Sequence, residues 1–218
     1  MTTNVTQETP VPRPSTPLLS RARIRAHALA MVDTAGLGGL SMRKLAGDLG
    51  VQAPSLYSHY RTKDELLQDI ADDIMSTVDI SDFATDWAAG VRTWARSYRA
   101  AMAAHPNMVP VIAAGPARRE TALARADAVH GGLVRAGWPP RYATMIGAST
   151  KYLVLGAAMS SFSRGFEDDV QVYVDRYPHL DQAHRLRDHA DEIDADSFEL
   201  ALDAFIHGLT ALRATLSP

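Results

Sequence analysis

Eight histidines invite a metal-ion reading, so they are the first residues to test. A di-iron helical bundle needs a histidine three positions after a glutamate. None of the six glutamates (Glu8, Glu65, Glu120, Glu167, Glu192, Glu199) has one. No His-Glu-x-x-His pair occurs, and His184 and His189 enclose Arg185 and Arg187, poor company for a cation. The absence of cysteine excludes disulfides, thiolate metal sites and thiol catalysis. Neither a glycine-rich phosphate loop nor a nucleophile elbow is present. The residues therefore assign no catalytic group, no metal and no cofactor, and an all-helical enzyme is the alternative they support least.

The charge pattern points elsewhere. Between Leu18 and Lys63 lie seven basic residues (Arg21, Arg23, Arg25, Arg43, Lys44, Arg61, Lys63) and two acids (Asp33, Asp48). That segment carries +5 inside a chain of net charge −3, so any polyanion must bind a local patch. Within it stands Ala53-Pro54-Ser55-Leu56-Tyr57-Ser58-His59-Tyr60. Short side chains at its leading end suit the roughly 12 Å major groove of DNA. Tyr57 and His59 can donate to phosphate oxygens. The competing readings are Tyr57 as packing and His59 as an ordinary surface histidine.

These groups need elements to position them. Ile24, Ala28, Met31 or Val32, and Ala35 mark one face of a first helix, closed by Gly36, Gly38 and Gly39. Ser41 caps a second helix carrying Leu45, Ala46 and Leu49, which Gly50 ends. Pro54 opens a third running to about Tyr60. Lys63 opens a fourth with Leu66, Leu67, Ile70, Ile74 and Val78 on one side. The second and third, joined by a tight turn, have the dimensions of a helix-turn-helix.

Residues 39–75 resemble the DNA-binding domain of TetR-type repressors. The likeness rests on Arg43-Lys44-Leu45-Ala46, Leu49-Gly50-Val51, Pro54, Leu56-Tyr57, His59 and Lys63 with Leu66-Leu67. It is dense over residues 19–75 and thin afterwards. It implies that Arg43 reads a guanine edge and that Pro54 touches a thymine methyl. Ser55, Tyr57, His59 and Lys63 would hold phosphates. Ala53 stands where the family's prototype has an amide that reads adenine, and Ser58 replaces a tryptophan. The operator should differ accordingly.

Beyond residue 78 the periodicity stays helical. Trp87, Val91, Trp94, Tyr98 and Met102 form an amphipathic stripe. A short apolar piece holds Met108, Val111 and Ile112, broken by Gly115-Pro116. Helices follow over about 117–136, 141–162 and 196–215, with a charged, irregular stretch at 164–195 holding a short helix near 180–188. The chain reads as all-α, with three parts: a disordered tail over 1–17, a three-helix DNA-binding domain over 18–65, and a larger helical domain over 66–218. The resemblance implies that this last domain binds a small effector and dimerises. Apolar surplus on the helices at 141–162 and 196–215, including Phe205 and Leu209, supports pairing into a four-helix bundle.

The lining expected for an effector site is Trp94, Tyr98, Met102, Ile112, Val129, His130, Thr144, Ala148 and Tyr152. Such a wall suits a hydrophobic or aromatic small molecule. Ile112 falls where the prototype has a histidine that binds its drug's magnesium, which argues against a magnesium-chelate ligand. The expectation is a DNA-binding homodimeric repressor that binds a palindromic double-stranded DNA operator and is released by its effector. An effector-independent DNA-binding protein is the runner-up. At 46% hydrophobic residues the chain can build a core. Charges interrupt every apolar run before membrane-spanning length, and no signal peptide is evident, so the expected place is the cytoplasm, with no membrane partner.

Overall fold

The computed structural model describes residues 19–114 and 120–216. The proline-bearing tail at 1–17 and the break at Gly115-Pro116 lie outside them. Among the described residues the chain forms nine α-helices and five short 3-10 turns, without a strand.

Ser20 accepts the Arg23 N–H at 3.2 Å and starts α1 (Arg21–Gly39), whose buried face is Ile24, Ala28 and Val32. Ser41 caps α2 (Met42–Asp48) by accepting from Lys44 N–H at 3.2 Å. This cap turns Met42, Leu45 and Ala46 inward and leaves Arg43 and Lys44 exposed. A Schellman pair closes the helix: Gly50 N–H donates to Gly47 O at 3.0 Å, and Val51 N–H to Ala46 O at 2.9 Å. Gly50 sits at φ 69°, where side-chain-bearing residues are strained.

α3 (Ala53–Tyr57) carries Pro54 in its first turn and is shorter than the run to Tyr60 suggests. His59 and Tyr60 N–H both donate to Leu56 O at 2.9 Å, turning the chain so that the Tyr60 ring drops into the core. Thr62 and Glu65 form a capping-box variant at the start of α4 (Lys63–Ser76). The Thr62 hydroxyl accepts Glu65 N–H at 3.0 Å, and the Glu65 carboxylate accepts Arg61 N–H at 2.9 Å.

The rest of the chain packs around α5 (Trp87–Ala104), capped by Asp86. α6 (Val109–Ala113), α7 (Glu120–Arg135) and α8 (Pro140–Met159) follow. Residues 163–185 hold 3-10 turns at Ser163–Gly165, Val170–Val172 and Ala183–Arg185, so the helix expected near 180–188 is one such turn. α9 (Ala190–Leu216) begins about two turns earlier than the sequence suggests. Asp191 and Glu192 read as loop residues, yet they suit the positive end of a helix dipole. Ion pairs Arg92–Asp203 at 2.8 Å and Arg96–Glu199 at 2.6 Å join α5 to α9. α4 runs through the domain boundary expected at 65/66, so it belongs to both halves. No helix among the described residues is long and apolar enough to cross a membrane.

Candidate nucleic-acid interface and interior cavity

Arg43 on α2 and Pro54, Ser55 and Tyr57 on α3 are exposed together, while Leu45, Leu49, Leu56 and Tyr60 hold the two helices from below. Tyr57 is 50% exposed, so it is not a core packing residue. His59 and Lys63 are half-buried at the α3–α4 turn. The Lys63 ammonium donates to the Leu37 carbonyl at 2.6 Å, pinning the end of α1 to the start of α4. An ammonium has three donors, so two remain for an outside acceptor.

The basic patch is narrower than the sequence count. Arg25 Nη1 lies 3.2 Å from Asp69 Oδ2 and Nη2 3.4 Å from Asp73 Oδ1. Arg21 pairs with Glu65 at 3.4 Å and covers the Tyr60 ring at 4.3 Å. The Tyr60 hydroxyl donates to Asp69 at 2.5 Å, and burial pushes its pKa up. These acids sit on α4, just past the window that read +5. The pairs neutralise Arg21 and Arg25, and exposed basic residues remain on α2 and the α3–α4 turn.

A cavity of about 700 Å³ lies among α4, α5, α6, α7 and α8. Seven of the nine expected residues line it: Trp94 and Tyr98 from α5, Ile112 from α6, Val129 and His130 from α7, and Thr144 and Ala148 from α8. Two do not. Met102 is fully buried in the core one turn past Tyr98. Tyr152 stands on the outside of α8, 71% exposed. At about 100° per residue, Ala143, Thr144, Gly147, Ala148 and Lys151 cluster in one direction and Tyr152 falls about 110° away.

Sequence reasoning missed a whole wall. Gln68, Ala71, Asp72 and Met75 of α4 face the cavity. Their 3, 1, 3 spacing is a second helical edge beside the Leu67–Ile70–Ile74 stripe, and that signal was present in the sequence. Trp94 and Tyr98 stack with centroids 6.4 Å apart at 23°, and Phe83 meets Trp94 edge-on at 6.1 Å. Burial pushes the Tyr98 hydroxyl up to about 12. His130 Nε2 lies 3.2 Å from the Pro140 carbonyl, and the Thr121 hydroxyl donates to Asp72 at 2.9 Å. Among the described residues no group of three or more His, Asp or Glu could hold a metal ion.

A short-turned pair of helices beneath a hollow helical domain is a recurrent arrangement, and the chain's matches to known families locate it. Residues 24–70 match the family model described as "Bacterial regulatory proteins, tetR family". Residues 82–213 match "Tetracyclin repressor-like, C-terminal domain". The chain belongs to the TetR family. Among TetR relatives, an HTH-type transcriptional regulator of Saccharopolyspora erythraea is 30% identical over 65% of this chain and 60% of its own length. A class A tetracycline repressor of Escherichia coli is 34% identical over 62% of this chain and 63% of its own. The chain thus aligns with less than two thirds of these curated relatives. The Streptomyces coelicolor TetR family protein ActR, solved in complex with actinorhodin, superposes with a TM-score of 0.69 at 25% identity. That match covers 89% of this chain and 98% of ActR.

Proposed function

We propose that this TetR-family chain is a homodimeric transcriptional repressor whose grip on a palindromic operator is released by a small, largely apolar effector. The observation that carries the reading is α4. Its first turn fixes the helix-turn-helix through Lys63, Thr62 and Glu65, while Gln68, Ala71, Asp72 and Met75 wall the cavity. A molecule filling the cavity presses on the same helix that sets the angle of α3. It shifts the protein only by binding the DNA-bound and free states with different affinity. Arg43 reads a base edge, Pro54 meets a thymine methyl, and Ser55, Tyr57, His59 and Lys63 hold phosphates. Relatives named as tetracycline repressors, and one solved with actinorhodin, support a ligand of this general size.

An effector-independent DNA-binding protein would have filled this space with side chains, as close packing demands. The cavity favours the responsive reading. For the dimer, α8 presents Met145, Tyr152 and Met159 to solvent at seven-residue spacing, and α9 presents Leu200 and Leu212. A second copy covers such a stripe naturally in a four-helix bundle. Leu209, at 8% exposed, points into the protomer's own core and is not on that stripe, whereas Phe205 is half-buried one heptad before Leu212.

The test is a footprint on the DNA upstream of the protein's own gene. It should show one protected palindrome, lost on adding members of a hydrophobic small-molecule panel. Protection that no compound relieves would leave only the effector-independent reading.

A further inference from the structure

The cavity is apolar along α5 and α6, and one of the charged side chains that line it elsewhere stands out. Lys151 lines it from α8, one turn past Gly147 and two past Thr144, about 100° around the helix from the exposed Tyr152. Its ammonium has no ion-pair or hydrogen-bond partner among the described residues. The other charged lining groups do not answer it. Asp72 is engaged by the Thr121 hydroxyl, Asp127 is exposed to water, and Arg125 is a second cation on α7, half-buried and without an ion pair among the described residues. His130 faces the Pro140 carbonyl, and the Tyr98 hydroxyl keeps its proton to about 12.

We propose that the cavity selects a planar aromatic anion, with its rings on Trp94 and Tyr98 and its carboxylate, sulfonate or acidic phenolate on Lys151. A half-buried ammonium that has lost water and gained no counterion is a cost the empty protein carries. Burial pulls the Lys151 pKa down, as that cost requires. A ligand anion removes it by forming a charge-assisted hydrogen bond in low dielectric. Trp94 and Tyr98 are near parallel at 23°, an orientation that lets an aromatic ring system align with both, which a branched chain does not exploit. Arg125, across on α7, gives a second anionic group a place without requiring one. This rests on the ligand-responsive reading and narrows it from "apolar" to "aromatic acid".

A matched pair of fluorescent probes tests it on the full-length protein: anilinonaphthalene sulfonate, and phenylnaphthylamine, which has the same rings without the charge. The anion should bind at least about tenfold more tightly. Lys151→Met keeps the apolar stem and should cost the anion about tenfold while moving the neutral probe less than twofold. Lys151→Arg should restore most of the anion's affinity. The melting temperature of Lys151→Met should not fall, since it removes an uncompensated charge. Trp94→Ala should weaken both probes, which locates them in the cavity. Equal affinities of the two probes for the parent protein, or an equal loss of both in Lys151→Met, would overturn anion selection while leaving the effector cavity standing. If neither probe responds to Trp94→Ala, the cavity is not the binding site, and the ligand-responsive reading falls with the proposal.

Discussion

His105 Nδ1 lies 3.0 Å from Asp33 Oδ2, joining the chain just past α5 to the last helical turns of α1. Two residues on, the Asn107 amide donates to the Val32 carbonyl at 2.9 Å and to the Asp33 carbonyl at 3.1 Å. The 3-10 turn Pro106–Met108 therefore clamps the DNA-binding half, and α6, which follows at once, puts Val111 and Ile112 on the cavity. The two halves touch through this turn as well as through α4.

Asn107→Ala tests the clamp. It removes two hydrogen bonds worth about 1 kcal/mol each, and it leaves the Val32 and Asp33 carbonyls to their helical partners or water. Amide hydrogens over residues 31–39 and 106–108 should exchange faster, with the core of α5 unchanged. Operator affinity should fall about fivefold, the equivalent of about 1 kcal/mol. Unchanged exchange at the end of α1 would show that the turn holds nothing.

Arg43 and Lys63 should separate base reading from phosphate holding. Arg43 is exposed. Arg43→Ala should leave the melting temperature alone, cost about 1–3 kcal/mol of operator binding and relax preference at one base pair per half-site. Lys63→Ala should weaken all DNA sequences alike and lower the salt slope by about one. It should also lower the melting temperature, because the Leu37 carbonyl loses a charged donor. Uniform loss of affinity in both variants would remove Arg43 from the base edge.

The exposed stripe and the buried side of the last two helices give opposite outcomes on the same element. Tyr152→Asp and Leu200→Asp place charge on residues already facing water in one copy, so each should yield a folded monomer by ultracentrifugation. Specific operator binding should drop steeply, since one half-site alone is weak. Leu209→Asp buries a charge in the protomer's own core and should unfold it instead. A stable dimer of both Tyr152→Asp and Leu200→Asp would move the interface elsewhere.

Local patterns were legible from the sequence, while pairings set by tertiary contact were not. The cap at Ser41 and the turn at Gly50 follow from residues within a few positions of one another. The Arg25–Asp69 pair spans 44 positions and appears only once α1 and α4 pack. Tyr152 shows the same limit. A stripe rule places it near Ala148, but in an apolar helix with two partners the rule does not say which face meets which. α3 ends early for a similar reason, because core demand for the Tyr60 ring outweighs the helix's local run.

Tyr98 supplies the pH test. Its hydroxyl is pushed up to about 12 from an ordinary 10.0 by burial, with no partner that would favour the anion. The unfolded chain gives up this proton near pH 10, whereas the folded chain keeps it until about 12. The folded state thus binds more protons in that window, so its stability falls as pH rises through it and is complete below pH 10. The slope is at most about 1.4 kcal/mol per pH unit. Tyr98→Phe keeps the ring against Trp94 and has nothing to ionise. Melting temperatures of parent and variant should run parallel from pH 7 to 9.5 and then diverge, the parent falling faster toward pH 11. Parallel curves through the whole range would mean that water reaches the hydroxyl in the folded protein, and that the cavity is wetter at Tyr98 than its burial implies.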